Sequence, residues 1–216
     1  MGANDWMLVY ASTDVSTVLR TCPEIDREAT RALIERLYPS HDIHPITDGT
    51  LRDSAAPPDG EVYAAVFPGV SIVCTRDAAE DTPSSLPPRF VQEAAGRTLY
   101  LHAKYGDRAY AWAIWSRDGT LRRSFSFSWD NDAGWIEDIG APLALEKLNY
   151  AEYEDEDDDY PVEPPLGEAE AVLQGMFGFN YERKVEYDDP VPEYIDLAGF
   201  AVMPRLGSKV TWLHAR

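Results

Sequence analysis

Residues 6–11 form an unbroken apolar run of strand length, and the polar Ser12, Thr13 and Asp14 that follow are residue types that open helices. Beyond Pro23, the residues Ile25, Ala29, Leu33 and Leu37 recur at helical spacing, and Ala32 widens the stripe. Thr21 with Glu24 has the spacing of a capping box, and Pro39 ends the run. Residues 43–47 read as a short strand closed by Asp48 and Gly49. Strand, helix and strand in this order predict a parallel βαβ unit with a right-handed crossover.

Residues 62–67 and 70–75 are two apolar, β-rich runs split by Pro68 and Gly69, a pattern that fits one bent strand or a hairpin. Residues 77–88, rich in Pro, Ser and Asp, read as a loop feeding a short helix over 89–95 that Gly96 stops. Three successive strands follow, over 98–103, 109–116 and 120–129. In the last, Leu121, Phe125, Phe127 and Trp129 share one face, with Arg122, Ser124, Ser126 and Ser128 on the other, as in a half-buried antiparallel strand. Residues 130–142 read as an irregular connection and 150–165 as an acidic loop. A last helix spans 166–177, between Pro165 and Gly178, after which the patterning is weak. The whole predicts an α+β fold in a single domain over 1–216: a mixed sheet with a parallel βαβ start and an antiparallel meander, flanked by helices.

The hairpin at 116–120 suits a three-residue turn with Gly119 in the left-handed position. That register pairs Ser116 with Thr120, Trp115 with Leu121, Ala113 with Arg123 and Ala111 with Phe125. A two-residue turn at Asp118 and Gly119 would instead pair Trp112 with Phe125 and Tyr110 with Phe127. The first register is preferred, because its alanines leave room for a covering helix. It predicts an opposite face of Tyr110, Trp112, Ser124 and Ser126, a mixed aromatic and hydroxyl surface suited to ligand contact.

Charge changes the picture most. With 38 acidic against 19 basic residues the chain carries a net charge of −19. Nucleic acid and anionic membrane surfaces are thereby disfavoured as partners, since phosphate contacts need a basic patch and the longest basic run is Arg122 with Arg123. No signal peptide or membrane-length apolar run is evident, and Cys22 and Cys74 stand in unlike settings, so a cytoplasmic protein without a disulfide framework is expected. Cys74 reads as a small buried residue of an apolar strand, and Cys22, before Pro23 at a helix start, as structural.

Candidate chemistry is sparse. His41 and His44 would diverge on a strand, which favours a solvated turn over a metal site. The run Asp130, Asn131, Asp132 with Glu137 and Asp138 offers hard oxygen ligands, yet Gly134 and Ala141 break the EF-hand pattern. No metal and no cofactor is therefore expected. Ser12, Thr13 and Asp14 occupy the place where α/β proteins often bind ligands, although as plain helix caps they need no ligand. His102 shares a strand face with Tyr100 and reads first as a hydrogen-bonded structural histidine. Seven of the eight residues 152–159 are acidic: Glu152, Glu154, Asp155, Glu156, Asp157, Asp158 and Asp159. Such a run suits docking to a basic protein surface, helped by electrostatic steering. Three functions remain, in this order: a non-catalytic binding protein that uses the acidic loop; an enzyme acting on a small molecule near Ser12, Thr13, Asp14 and His102; and a purely structural role. The first leads because a surface feature is clear and no catalytic constellation is.

The ordered series formed by the start at Met1, residues 26–30 through Tyr38 and Pro39, residues 67–70, 101–103, 136–140 and 176–179 resembles an uncharacterised actinobacterial protein family, domain of unknown function 6928. The resemblance runs nearly from end to end and implies no activity. Where that family often carries a further histidine after the triplet at 101–103, this chain has Lys104, Tyr105 and Gly106.

Overall fold

The computed structural model describes residues 4–106, 108–130, 134–144, 146, 167–181 and 188–205. Its strands are β1 (Asn4–Ala11), β2 (His41–Thr50), β3 (Glu61–Phe67), β4 (Val70–Thr75), β5 (Thr98–Tyr105), β6 (Ala109–Trp115), β7 (Leu121–Ser128), β8 (Trp135–Gly140) and β9 (Asp196–Pro204). All join one nine-stranded sheet in the order β2-β9-β3-β4-β1-β5-β6-β7-β8. The helices are α1 (Val15–Leu19), α2 (Arg27–Leu37), α3 (Pro88–Glu93) and α4 (Gly167–Phe177).

Every neighbouring pair of strands is antiparallel, so the expected mixed sheet with a parallel βαβ start is overturned. β1 lies between β4 and β5, and β2 crosses to the far edge beside β9. The physical reason lies in composition. A strand next to β1 in a two-sided sheet must be apolar on both faces. β4 meets that demand, with all six residues buried, whereas β2 contains Pro45 and no buried residue. Proline is tolerated at an edge because it lacks the N–H that a central ladder needs.

α2 begins one turn later than the capping-box spacing of Thr21 and Glu24 suggested. Asp26 is its N-cap, accepting from Ala29 N at 2.9 Å, while the Thr21 hydroxyl donates to Val18 O at the end of α1. Cys22 is exposed, past the end of α1.

Both faces of the sheet are covered. On one, Leu33, Ile34 and Leu37 of α2 and Phe90 of α3 pack against Leu8 and Tyr10 of β1, Leu101 of β5 and Phe200 of β9. On the other, Val15 and Leu19 of α1 and Leu173 and Phe177 of α4 pack against Met7, Val9, Ile72 and Leu197. The second layer continues over the meander, where Ala169 and Val172 of α4 meet Tyr110, Trp112, Phe125 and Phe127. Fully burying a large apolar side chain contributes about 1.5–3 kcal/mol relative to exposure, so these two layers dominate the favourable side of folding.

The β6–β7 hairpin contains elements of both registers. The three-residue turn forms: Ser116 N donates to Thr120 O at 2.9 Å, Gly119 has φ +79° and Trp115 faces Leu121. One residue further the ladder shifts, Ile114 faces Arg123, and Trp112 then faces Phe125 and Tyr110 faces Phe127. Arg122 is the extra residue of a β-bulge. Leu121 thus packs with the α2 layer, while Phe125 and Phe127 pack under α4. The expected face of Tyr110, Trp112, Ser124 and Ser126 does not exist, because the two aromatics and the two serines lie on opposite sides of the sheet.

Candidate functional site

The chemistry of the molecule is concentrated beneath α4, where the sheet carries charged residues at positions that its alternation would otherwise fill with apolar ones. β1 and β5 pair so that Asp5 faces Lys104 and Met7 faces His102. The first turn of α4 lies over them. His102 Nδ1 is 2.7 Å from Asp5 Oδ1, and its Nε2 is 3.1 Å from the Ala169 carbonyl oxygen. Lys104 Nζ donates to Glu170 Oε1 at 2.9 Å, and Glu170 Oε2 accepts from Tyr181 N at 2.8 Å. The Asp5 and His102 side chains are both 0 % exposed.

A second ionic cluster adjoins the first on β6 and β7. Arg123 donates from Nε and Nη2 to the Glu146 carboxylate at 3.0 and 2.7 Å, and from Nη1 to Asp138. Glu146 Oε1 also accepts from Trp112 Nε1 at 2.9 Å. Taking charges out of water costs several kcal/mol per ion, so such groups persist only in close, hydrogen-bonded pairs. Glu170, Glu146 and Asp138 meet that condition through Lys104 and Arg123, whereas Asp5 has His102 at Oδ1 alone and its Oδ2 is buried without a hydrogen-bond partner among the described residues.

Burial lowers the pKa of His102 most strongly. The charge of Asp5, its hydrogen bond, the Ala169 carbonyl and Glu170 together outweigh that and hold it above the ordinary histidine value. Burial pushes the Cys74 thiol far up, and Asp5 adds to the effect, so Cys74 is an inert core residue.

Ser12, Thr13 and Asp14 are exposed and stand apart from His102. The Ser12 hydroxyl donates to Gly69 O at 3.2 Å, and Asp14 caps α1 by accepting from Thr17 N at 2.7 Å; hydrogen bonding from the Thr17 side chain and then its backbone holds the Asp14 carboxyl below the usual range. Ala11 faces Thr98 while Met7 faces His102, so four residue steps, about 13 Å of strand, separate the histidine from the end of β1, and the cap lies beyond that end. The sequence reading grouped these residues, and the structure does not bring them together.

His41 and His44 lie on the edge strand β2, where with Arg31, Glu35, Asp42 and Arg205 they line an open cleft of about 340 Å³. Burial and the neighbouring Arg89 lower the pKa of His41. A second cleft, of about 630 Å³, is lined by Arg76, Asp81, Tyr105, Arg108, Ser128 and Asp130 among others. Of the run 130–138, residues 131–133 lie outside the described part. Glu137 accepts from Ser84 N at 3.0 Å and from the Ser84 and Ser124 hydroxyls, and Asp138 accepts from Arg123. Among the described residues no group of three or more His, Cys, Asp or Glu is placed to hold a metal. The acidic residues 152–159 also lie outside the described part.

Sequence reading missed Asp5 and Glu170, the partners of His102 and Lys104. The signal for Glu170 was present: it stands three and seven residues before Leu173 and Phe177, on the apolar stripe of α4.

Fold and site together define a protein of one antiparallel sheet between two helical layers, with an ion-paired compartment buried under one helix. The family model described as a family of unknown function (DUF6928) matches residues 5–200, and the chain belongs to that family. No curated protein and no solved structure matches it. Among the described residues no helix is long and apolar enough to cross a membrane.

Proposed function

We propose that the protein is a non-catalytic binding protein whose acidic run, Glu152 to Asp159, engages a basic surface on a protein partner. The observation that carries this reading is the run itself, seven acids in eight residues, in a stretch without Lys or Arg between Lys147 and Arg183. Concentrated charge of one sign raises the encounter rate with an oppositely charged surface and makes binding salt-sensitive. The flanks of the run support it: Glu146 is fixed by Arg123 and Trp112, and α4 by His102 and Lys104, so both ends of the intervening chain are tied to one face of the sheet. The competing reading, an enzyme built on Asp14 and His102, has one group exposed as a helix cap and the other buried between a carboxylate and a carbonyl.

The test is binding of a fluorescent lysine- and arginine-rich peptide at low and high salt. Two variants of equal net charge are compared: one with the seven acids of 152–159 changed to Asn or Gln, the other with seven exposed acids changed elsewhere. Loss of binding on the order of tenfold in the first variant alone supports the reading. Equal loss in both would mean that only the net charge of −19 attracts the peptide, and the run would then have no special part.

A further inference from the structure

The two ring nitrogens of His102 both face acceptors. The Ala169 carbonyl can only accept, so Nε2 must carry a hydrogen to make the 3.1 Å contact, and the 2.7 Å contact between Nδ1 and the Asp5 carboxyl needs a second proton. A neutral imidazole beside an ionised carboxylate supplies only one. Either tautomer then sets two acceptors against each other, at Asp5 or at Ala169, and with both side chains fully buried no solvent replaces the missing donor.

The surrounding charges point the same way. From β5 Lys104 is paired with Glu170 of α4, and from β7 Arg123 is paired with Glu146, which also holds Trp112 of β6 opposite His102. Cys74 of β4 and Tyr181 beyond α4 are both held neutral by burial. Among the described residues, the remaining cation for Asp5 within this compartment is His102 itself. Ala169 and Glu170 sit in the first turn of α4, so the proton is spent at the joint between that helix and the sheet.

We infer that α4 is fastened to the sheet by a proton-dependent latch, in which the second proton of the Asp5–His102 pair lets His102 Nε2–H hold the Ala169 carbonyl in the first turn of the helix, and its loss at higher pH releases that turn. The inference is independent of the acidic run. Its direction follows from linkage. His102 is held above its unfolded value of about 6.5, so its contribution is complete below that pH and is lost as pH rises through the folded pKa.

The experiment follows His102 by NMR titration and measures amide hydrogen exchange of α4 and α2 from about pH 6 to 10, corrected for the intrinsic rate. The expected result is a fall in α4 protection on the order of tenfold that tracks the titration of His102, with α2 unchanged. Asp5→Asn supplies the second arm: its amide N–H can donate to a neutral imidazole whose Nε2–H still reaches Ala169, so α4 should stay protected across the range. Protection of α4 that ignores the titration of His102 overturns the latch. So does the same pH dependence in D5N. Should D5N fail to fold, the wild-type titration and exchange decide alone.

Discussion

Trp112 stacks on Phe125 with ring centroids 4.4 Å apart and planes 18° from parallel, a contact that exists only because Arg122 bulges out of the β6–β7 ladder two residues before Ser124. The turn sets one register, the aromatic rings favour the other, and one extra residue reconciles them.

Deleting Arg122 should therefore be tolerated. Removing the bulge residue leaves Leu121 opposite Trp115 and Arg123 opposite Ile114 in a regular ladder, with each side chain on the face it already occupies. Deleting Ser124 instead would close the bulge with Arg122 opposite Ile114 and drive the Arg123 guanidinium into the fully buried place of Ser124 on the other face. Circular dichroism melts should show cooperative unfolding for the first deletion, within a few degrees of the parent, roughly a 1 kcal/mol cost, and loss of the cooperative transition for the second.

Glu146→Gln should cost about 3 kcal/mol, because among the described residues it leaves the Arg123 guanidinium, 2 % exposed, with only the half-exposed Asp138 as a charged partner. Replacing both residues by apolar ones of similar volume should cost less than that single change. Urea unfolding of the single and double variants measures the difference.

Gly178→Ala should destabilise by about 1–3 kcal/mol. The residue has φ +84°, and a Cβ there would lie 2.2 Å from Ser16 Oγ, at the contact between α1 and the end of α4. Ser16→Gly in the same chain should recover the steric part and leave the backbone part, a split that thermal melts of the two variants resolve.

The sequence made β1, α2, the meander and α4 legible because each pairs an apolar period with clear end signals. Sheet order was not legible, since a strand buried on both faces reads alike in a parallel and an antiparallel setting. The polar β2 with Pro45 did hold the clue that it is an edge. β8 was hidden by Glu137 and Asp138, which stay in a strand because Ser84, Ser124 and Arg123 bind them. β9 was hidden by small residues, Ala198, Gly199 and Ala201, which carry little β signal. Of the site, His102 was visible as a polar residue within the largely apolar run 99–103. Asp5 was not, because the pair is 97 residues apart in sequence and only the β1–β5 pairing joins them.

The central claim, that a second proton on the Asp5–His102 pair ties α4 to the sheet, is tested most directly by the ring ¹⁵N resonances of His102 at neutral pH. Two protonated, pyrrole-like nitrogens are predicted, each coupled to its own hydrogen, with the Nε2–H signal lost together with α4 protection as the pH is raised. One unprotonated, pyridine-like nitrogen at neutral pH, with α4 fully protected, would contradict the account.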